Sequence, residues 1–296
     1  MLIEKRIPLR YLSWKVRVDV PVVLAASVVI AYLSAVYNLH LPEVPLAIPA
    51  FMGTAISLLL SFKLSQSYDR WWEARKVWGA IVNDSRSLAR QVLTFPARTG
   101  TAARSVVLRQ IAWCYCLGET LRGRRWSQGP TDTMSAADRA EASTHANPPL
   151  ALLQQHARDL GEMAAGGDVS DYQRVAVDAT ISRLTDHMGK AERIRNTVFP
   201  TTYRMFLHVA IYLFVMLFIV SLERVVGFWS VGLVVPIATV FFFLEKTATH
   251  MQDPFRDRPT DTAMTALART IEINLRQLLG QSDVPPPLAP NGFYLM

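Results

Sequence analysis

The chain has 296 residues, half of them hydrophobic (51%), with a net charge of +7 and two cysteines. Bunched apolar residues and a positive mean hydropathy exclude an ordinary water-soluble domain, and two cysteines exclude a disulfide framework. The positive charge lies mostly in the N-terminal 17 residues and between Lys63 and Arg204, so it needs no nucleic-acid partner, and no aromatic-interleaved basic motif accompanies it.

In chain order, Met1 to Asp19 interleaves Lys5, Arg6, Arg10, Lys15 and Arg17 with Ile7, Leu9, Tyr11, Leu12 and Trp14. A basic, aromatic-bearing segment of this kind lies at the lipid headgroups. Apolar bunches of near-bilayer length follow at Pro21 to Tyr37, Leu46 to Phe62, Phe206 to Leu222 and Gly227 to Leu244, and they predict four transmembrane helices. The short loops His40 to Pro45 and Glu223 to Val226 hold one basic residue, Arg224. By the positive-inside asymmetry both termini and the long middle segment are expected to be cytoplasmic, in a multi-pass protein of the cell inner membrane or plasma membrane.

The second apolar bunch runs without a break into a charged, aromatic helix. At 100° per residue, one face collects Thr54, Ser57, Leu58, Ser61, Phe62 and Ser65, and the other Met52, Ile56, Leu59 and Leu60. Small hydroxyl residues at this spacing serve close helix packing, or else line a pore in which Leu58 and Phe62 form a dewetting constriction. The pattern alone leaves both readings open.

Helical periodicity continues through Lys63 to Arg98, with Trp71, Trp72, Ala74, Val77, Trp78, Ile81 and Val82 on a stripe. A second helix is expected at Arg104 to Arg122, striped by Val107, Ile111, Cys114 and Leu117, with Cys114 and Cys116 as buried thiols. Gly123 to Pro149 reads as a loop with a short helix near Ala136 to Ala142. Helices then follow at Leu150 to Ala165, ended by Gly166 and Gly167, and at Asp171 to Asn196, capped by Ser170 and striped by Val175, Val177, Ile181, Leu184, Met188 and Ile194. Phe199-Pro200 ends the latter, Pro236 is expected to kink the fourth span, and a C-terminal helix is expected at Thr260 to Leu279. No strand alternation of useful length occurs, so the fold is expected to be all-α. The organisation reads as residues 1–62 for the surface segment and first two spans, 63–205 for a cytoplasmic helical region, 206–249 for the last two spans, and 250–296 for a cytoplasmic helix and tail.

Several strings together resemble the bestrophin family, in its bacterial branch. They are E-A-R-K-V-W-G at Glu73 to Gly79, S-R-S-L at Ser85 to Leu88, R-Q-I-A-W-C at Arg109 to Cys114, F-P-T-T-Y-R at Phe199 to Arg204, D-P-F at Asp253 to Phe255 and I-E-I-N-L at Ile271 to Leu275. The resemblance implies a homopentameric ion channel with an all-helical protomer and one axial pore. It places a hydrophobic neck at Thr54, Leu58 and Phe62, with Thr54 standing where a large apolar residue is usual, and a cytoplasmic constriction at Tyr172. Ser57, Ser61 and Ser65 then form a pore-facing polar stripe.

Animal relatives carry an acidic calcium clasp after the D-P-F string; here Arg256, Arg258 and Pro259 stand among Asp257 and Asp261, too thin an oxygen set for calcium. No calcium gate, metal or cofactor is expected. The partners are further copies of the chain, membrane lipids and small monovalent ions. Anions are the expected cargo; a cation channel of the same architecture and a non-conducting scaffold are the alternatives.

Other residues receive plainer readings. His208 is expected as a neutral histidine bonded to a neighbouring helix, Glu245 and Lys246 as interface anchors, and His40 and Glu43 as an outer loop near the pore mouth. His145, His156, His187 and His250 are scattered singly, with no metalloprotease, nucleophile-elbow or phosphate-loop pattern. An enzyme is therefore not expected.

Overall fold

The computed structural model describes residues 8–37, 41–96, 100–126, 130–197 and 200–295. The described residues contain ten α-helices and two 3-10 turns, with no β-strand among them. The chain divides into two compact units, one built on the stretches up to Trp71 and from Pro200 to Asp253, the other on Trp72–Thr197 and the chain from Pro254 onward.

The first unit holds α1 (Leu9–Lys15), α2 (Asp19–Tyr37), the first part of α3 (Ala47–Thr94), α8 (Thr201–Val226) and α9 (Ser230–Met251). Its core is Ile56 and Leu60 of α3 with Val23, Leu207, Ile211, Phe214, Val234 and Phe242. Three stretches are long and apolar enough to cross a membrane: Asp19–Tyr37, Ala47–Thr94, and Thr201–Met251, the last broken by the turn at Gly227–Trp229. Only 17%, 22% and 39% of their apolar windows are buried within the chain, so most of this surface needs cover from outside. Such helices mark a membrane protein. α8 extends through Glu223 to Val226, which were expected in a loop; Glu223 is buried because it accepts a hydrogen bond from Ser230 Oγ at 2.9 Å. α9 continues through Pro236. His40 and Phe199 lie outside the described residues.

The second unit is built from amphipathic helices: the rest of α3, α4 (Thr101–Arg122), α5 (Ala136–Thr144), α6 (Pro148–Ala165), α7 (Asp171–Asn196) and α10 (Met264–Leu278). Several of them end or begin at residues that mark a boundary. Phe95-Pro96 follows α3, and Gly123 closes α4 at φ +74, a left-handed conformation that costs glycine little. α7 begins with a full capping box, Ser170 and Gln173 satisfying each other's backbone N–H groups. The expected stripes are buried, namely Ala74, Val77, Trp78, Ile81 and Val82 on α3, Val107, Ile111, Cys114 and Leu117 on α4, and Val177 to Ile194 on α7. Val175 is an exception at 68% exposed, since it lies off the line through Val177, Ile181 and Leu184; Trp72 is half exposed. α10 starts at Met264 rather than Thr260, because Asp257 at φ +67 and a bond from Arg258 N–H to Asp261 close a turn there first.

The core of this unit contains a polar chain with no route to solvent. His156 is fully buried and its Nε2 lies 3.2 Å from Gln110 Oε1; Gln110 Nε2 donates to Ser85 Oγ at 2.8 Å, and Ser85 donates to the Ile81 carbonyl. Burial, with the Arg109 charge adding to it, pushes the imidazole down to about 3. Burial likewise raises the Cys114 and Cys116 thiols to about 12, so both are inert.

The unfolded chain takes up the His156 proton near pH 6.5, whereas the folded chain does so only near 3. Folding is therefore disfavoured progressively as pH falls below 6.5, by up to about 1.4 kcal/mol per pH unit. Asp261, raised by burial to about 6, works in the opposite direction between 6 and its unfolded value. H156Q is expected to flatten the drop in Tm between pH 7 and pH 5 measured by circular dichroism; an unchanged drop would remove His156 as its cause.

Candidate pore-lining helix and a buried charge cluster

α3 sorts its residues by face. Ile56, Leu60, Lys63 and Ser67 are buried at spacings of four, three and four, while Thr54, Ser57, Leu58, Ser61, Phe62 and Ser65 are all exposed within the chain. Leu58 and Phe62 remain 59% and 57% exposed. The hydroxyls of Thr54 and Ser57 donate to the carbonyls of Ala50 and Gly53 at 3.0 and 2.8 Å, so each is satisfied by its own helix. Close packing uses Gly53 instead: a Cβ there would meet the Phe214 ring of α8 at 3.1 Å. The stripe also divides. Ser57 and Ser61 border a groove of about 380 Å³ with Leu60, Val240, Phe241 and Leu244, whereas Thr54, Leu58 and Phe62 stand outside it.

Tyr172 belongs to the other unit, at the second position of α7 between the capping-box residues Ser170 and Gln173, and is 90% exposed. Among the described residues almost nothing covers the ring. The turn that follows Asp253-Pro254-Phe255 has its carboxylates already engaged. Asp257 pairs with Arg122 at 3.1 Å and Arg124 at 2.7 Å, and Asp261 is 1% exposed and accepts the Arg258 N–H. Among the described residues no group of three or more His, Cys, Asp or Glu side chains is arranged to hold a metal.

The feature that sequence reasoning missed lies one residue beyond Phe62. Lys63 is fully buried, and its ammonium donates to Glu245 Oε1 of α9 at 2.8 Å and to Thr249 Oγ1 at 2.9 Å. Glu245 is 2% exposed, so it is no interface anchor; Lys63 and Thr249 supply its partners inside the apolar unit. Asp19, at the first turn of α2, is 3% exposed, accepts the Tyr212 hydroxyl at 2.8 Å and lies 3.4 Å from the half-buried Lys246. His208 joins the two carboxylates, with Nε2 3.5 Å from Asp19 and Nδ1 3.7 Å from Glu245. Its ring also meets Tyr212 and Phe242 edge-on. Glu43 is engaged as well, in an exposed pair with Arg224. The available signal was helical: Lys63 falls on the Ile56–Leu60 face, and an ionisable residue on an apolar face needs a partner.

Lys63→Met strands Glu245 as a buried, unpaired charge, which is expected to destabilise the protein by about 3–5 kcal/mol. The double variant K63M/E245L removes both charges and is expected to recover at least half of that loss. Thermal unfolding in detergent checks both; a double variant no more stable than K63M would mean that Glu245 was not the stranded charge.

Comparison with known proteins follows the same lines. The family model of the Bacterial/Fungal Bestrophin protein matches residues 12–277. A voltage-dependent anion channel-forming protein of Ralstonia nicotianae is 29% identical over 83% of this chain and 81% of its own. The one named YneE in Escherichia coli K12 is 27% identical over 83% and 80%. The crystal structure of a bacterial bestrophin homolog from Klebsiella pneumoniae superposes with a TM-score of 0.82 at 25% identity, covering 89% of this chain and 98% of that one. With a match from the first helix to the last, the chain belongs to the bacterial and fungal bestrophin family.

Proposed function

We propose that this protein is a passive channel for small monovalent ions, anions foremost, assembled as a homopentamer around one axial pore. The α3 stripe carries the reading: two large apolar side chains, Leu58 and Phe62, stand uncovered one helical turn apart beside hydroxyls already satisfied by their own helix. Five such helices around an axis form a neck at Thr54, Leu58 and Phe62, with Ser57, Ser61 and Ser65 along its polar flank. The passage ends at the exposed Tyr172 ring.

In this arrangement α2, α3, α8 and α9 are the four spans. Residues 1–62 form the N-terminal surface segment and the first two spans and 206–249 the last two, while residues 63–205 and 250–296 lie in the cytoplasm and both termini are on that side. Phospholipid and further copies of the chain cover the apolar windows. The protein transports rather than catalyses, and needs no metal, cofactor or calcium gate.

In a narrow apolar neck the barrier is lost hydration rather than Coulomb repulsion. Thr54 and Leu58 favour neither sign of ion. Lys63 adds none, since Glu245 neutralises it. The Phe62 ring edge carries partial positive charge, and the relatives named as anion channel-forming proteins favour the same sign.

Purified protein in a planar bilayer under a potassium chloride gradient is expected to pass a current that reverses near the chloride equilibrium potential. Reversal near the potassium potential would make it a cation channel. The absence of any current, with cysteines at positions 54 and 58 shielded from a water-soluble thiol reagent, would favour a non-conducting scaffold. Leu58→Ala and Phe62→Ala each widen the neck. A conductance increase of up to about tenfold corresponds to about 1.4 kcal/mol less dehydration barrier; single-channel current unchanged in both variants would remove the neck from these positions.

A further inference from the structure

The short helix α1 and the start of α2 meet at an elbow around Val16 to Val18, and the elbow leaves a groove of about 450 Å³. Its lining includes the apolar side chains of Val16, Val20, Pro21 and Trp14, with Arg10 and Arg17 beside them. Val16 is buried, while Trp14 is 53% exposed. The Arg17 guanidinium lies over the Trp14 ring, 5.1 Å from its centroid.

The basic residues of this segment have separate fates. Lys15 turns inward, its ammonium 3.3 Å from the Thr247 hydroxyl and 5.3 Å from the Tyr11 and Phe243 ring centroids. Arg10 and Arg17 stay exposed, and among the described residues neither forms an ion pair. Asp19, the acid nearest to Arg17 along the chain, is buried and held by Tyr212 and Lys246. Two exposed guanidiniums, with no ion pair among the described residues, therefore flank an apolar trough at the mouth of a membrane-length helix.

We propose that this groove binds one anionic glycerophospholipid, its phosphate on Arg10 and Arg17 and the upper part of an acyl chain along Val16, Val20 and Pro21. A guanidinium presents paired donors to phosphate oxygens. Trp14 sits at the depth where an indole is stable between headgroups and chains. A free phosphate would use the arginines and leave the trough wet, whereas a zwitterionic lipid would fill the trough and bring its own cation against two others. An anionic lipid satisfies both parts, and its volume of cover suits a groove in the range of small-molecule sites.

The test uses the full protein in vesicles whose lipid carries bromine on the acyl chains, brominated phosphatidylglycerol or brominated phosphatidylcholine. The seven tryptophans make W14F the reference: the difference in quenching between the protein and W14F isolates Trp14. Trp14 quenching is expected to be stronger with the brominated phosphatidylglycerol at equal mole fraction. That preference is expected to fall by about fivefold for each arginine removed in R10Q and R17Q, and to survive in R10K/R17K, with oligomer size on gel filtration unchanged in all.

Equal quenching by both lipids would overturn the proposal and leave only a tryptophan at the interface. No Trp14 quenching by either would mean that protein covers the groove. A preference abolished by millimolar glycerol phosphate would mean that the site takes free phosphate esters rather than lipid.

Discussion

A charge carried into an apolar helix bundle must be met by an opposite one, and the first unit is arranged to meet that demand. Lys63 and Glu245 have almost no contact with solvent, and their 2.8 Å pair joins α3 to α9. Asp19 of α2 and His208 of α8 extend the same cluster. Every apolar helix of the unit thus contributes a member. Such a pair adds little net stability over hydrophobic packing, because desolvation offsets most of the attraction. Its effect is on register: sliding α3 by one residue would part the ammonium from its carboxylate and leave both uncompensated. Since Lys63 directly follows Phe62, the same constraint fixes the rotation at which the exposed stripe leaves the bundle.

The second unit solves a different problem by different means. It buries a neutral polar chain, His156 to Gln110 to Ser85, and it also buries charges that are each held by a partner. Arg276 illustrates the latter: it forks onto both oxygens of Asp132 at 2.8 Å and also reaches Glu272, which accepts the Tyr115 hydroxyl. Asp132 in turn holds its carboxyl below the usual range through that fork. α10 is thereby tied to α4 by the single Tyr115 bond and to Asp132, in the chain after α4, by a bidentate one.

How far the sequence disclosed this depends on whether an interaction is local. Helix type, most boundaries and most buried stripes follow from periodicity, from Gly123, Gly166 and Gly167, and from the Ser170 capping box. The strings that reveal the family are largely the packing code of the second unit. Trp78, Leu88, Ile111, Trp113, Ile271 and Leu275 are buried to 0% exposure, and Arg86 of one string bonds Asn274 of another. Partners far apart in sequence left no such trace. Lys63 and Glu245 are separated by 182 positions, and a glutamate near the end of an apolar run looks like any interfacial residue until its partner is known. The start of α10 was misjudged for a related reason, since the turn before it depends on side-chain capping by Asp261. The exposed stripe on α3 was legible as a face, but its occupant is not a property of one chain.

The apolar windows, mostly uncovered by their own chain, give the first unit an unusual thermodynamic status. For a water-soluble domain the native state is defined by sequence and solvent, and its free energy is independent of concentration. Apolar surface of this extent needs cover from other molecules, and whatever covers it acts as a ligand of the folded state and shifts it by mass action. Melting temperature then becomes a property of the mixture, rising with protein density in the bilayer and changing with acyl-chain length, while the second unit, with a core of its own, is governed by water and pH.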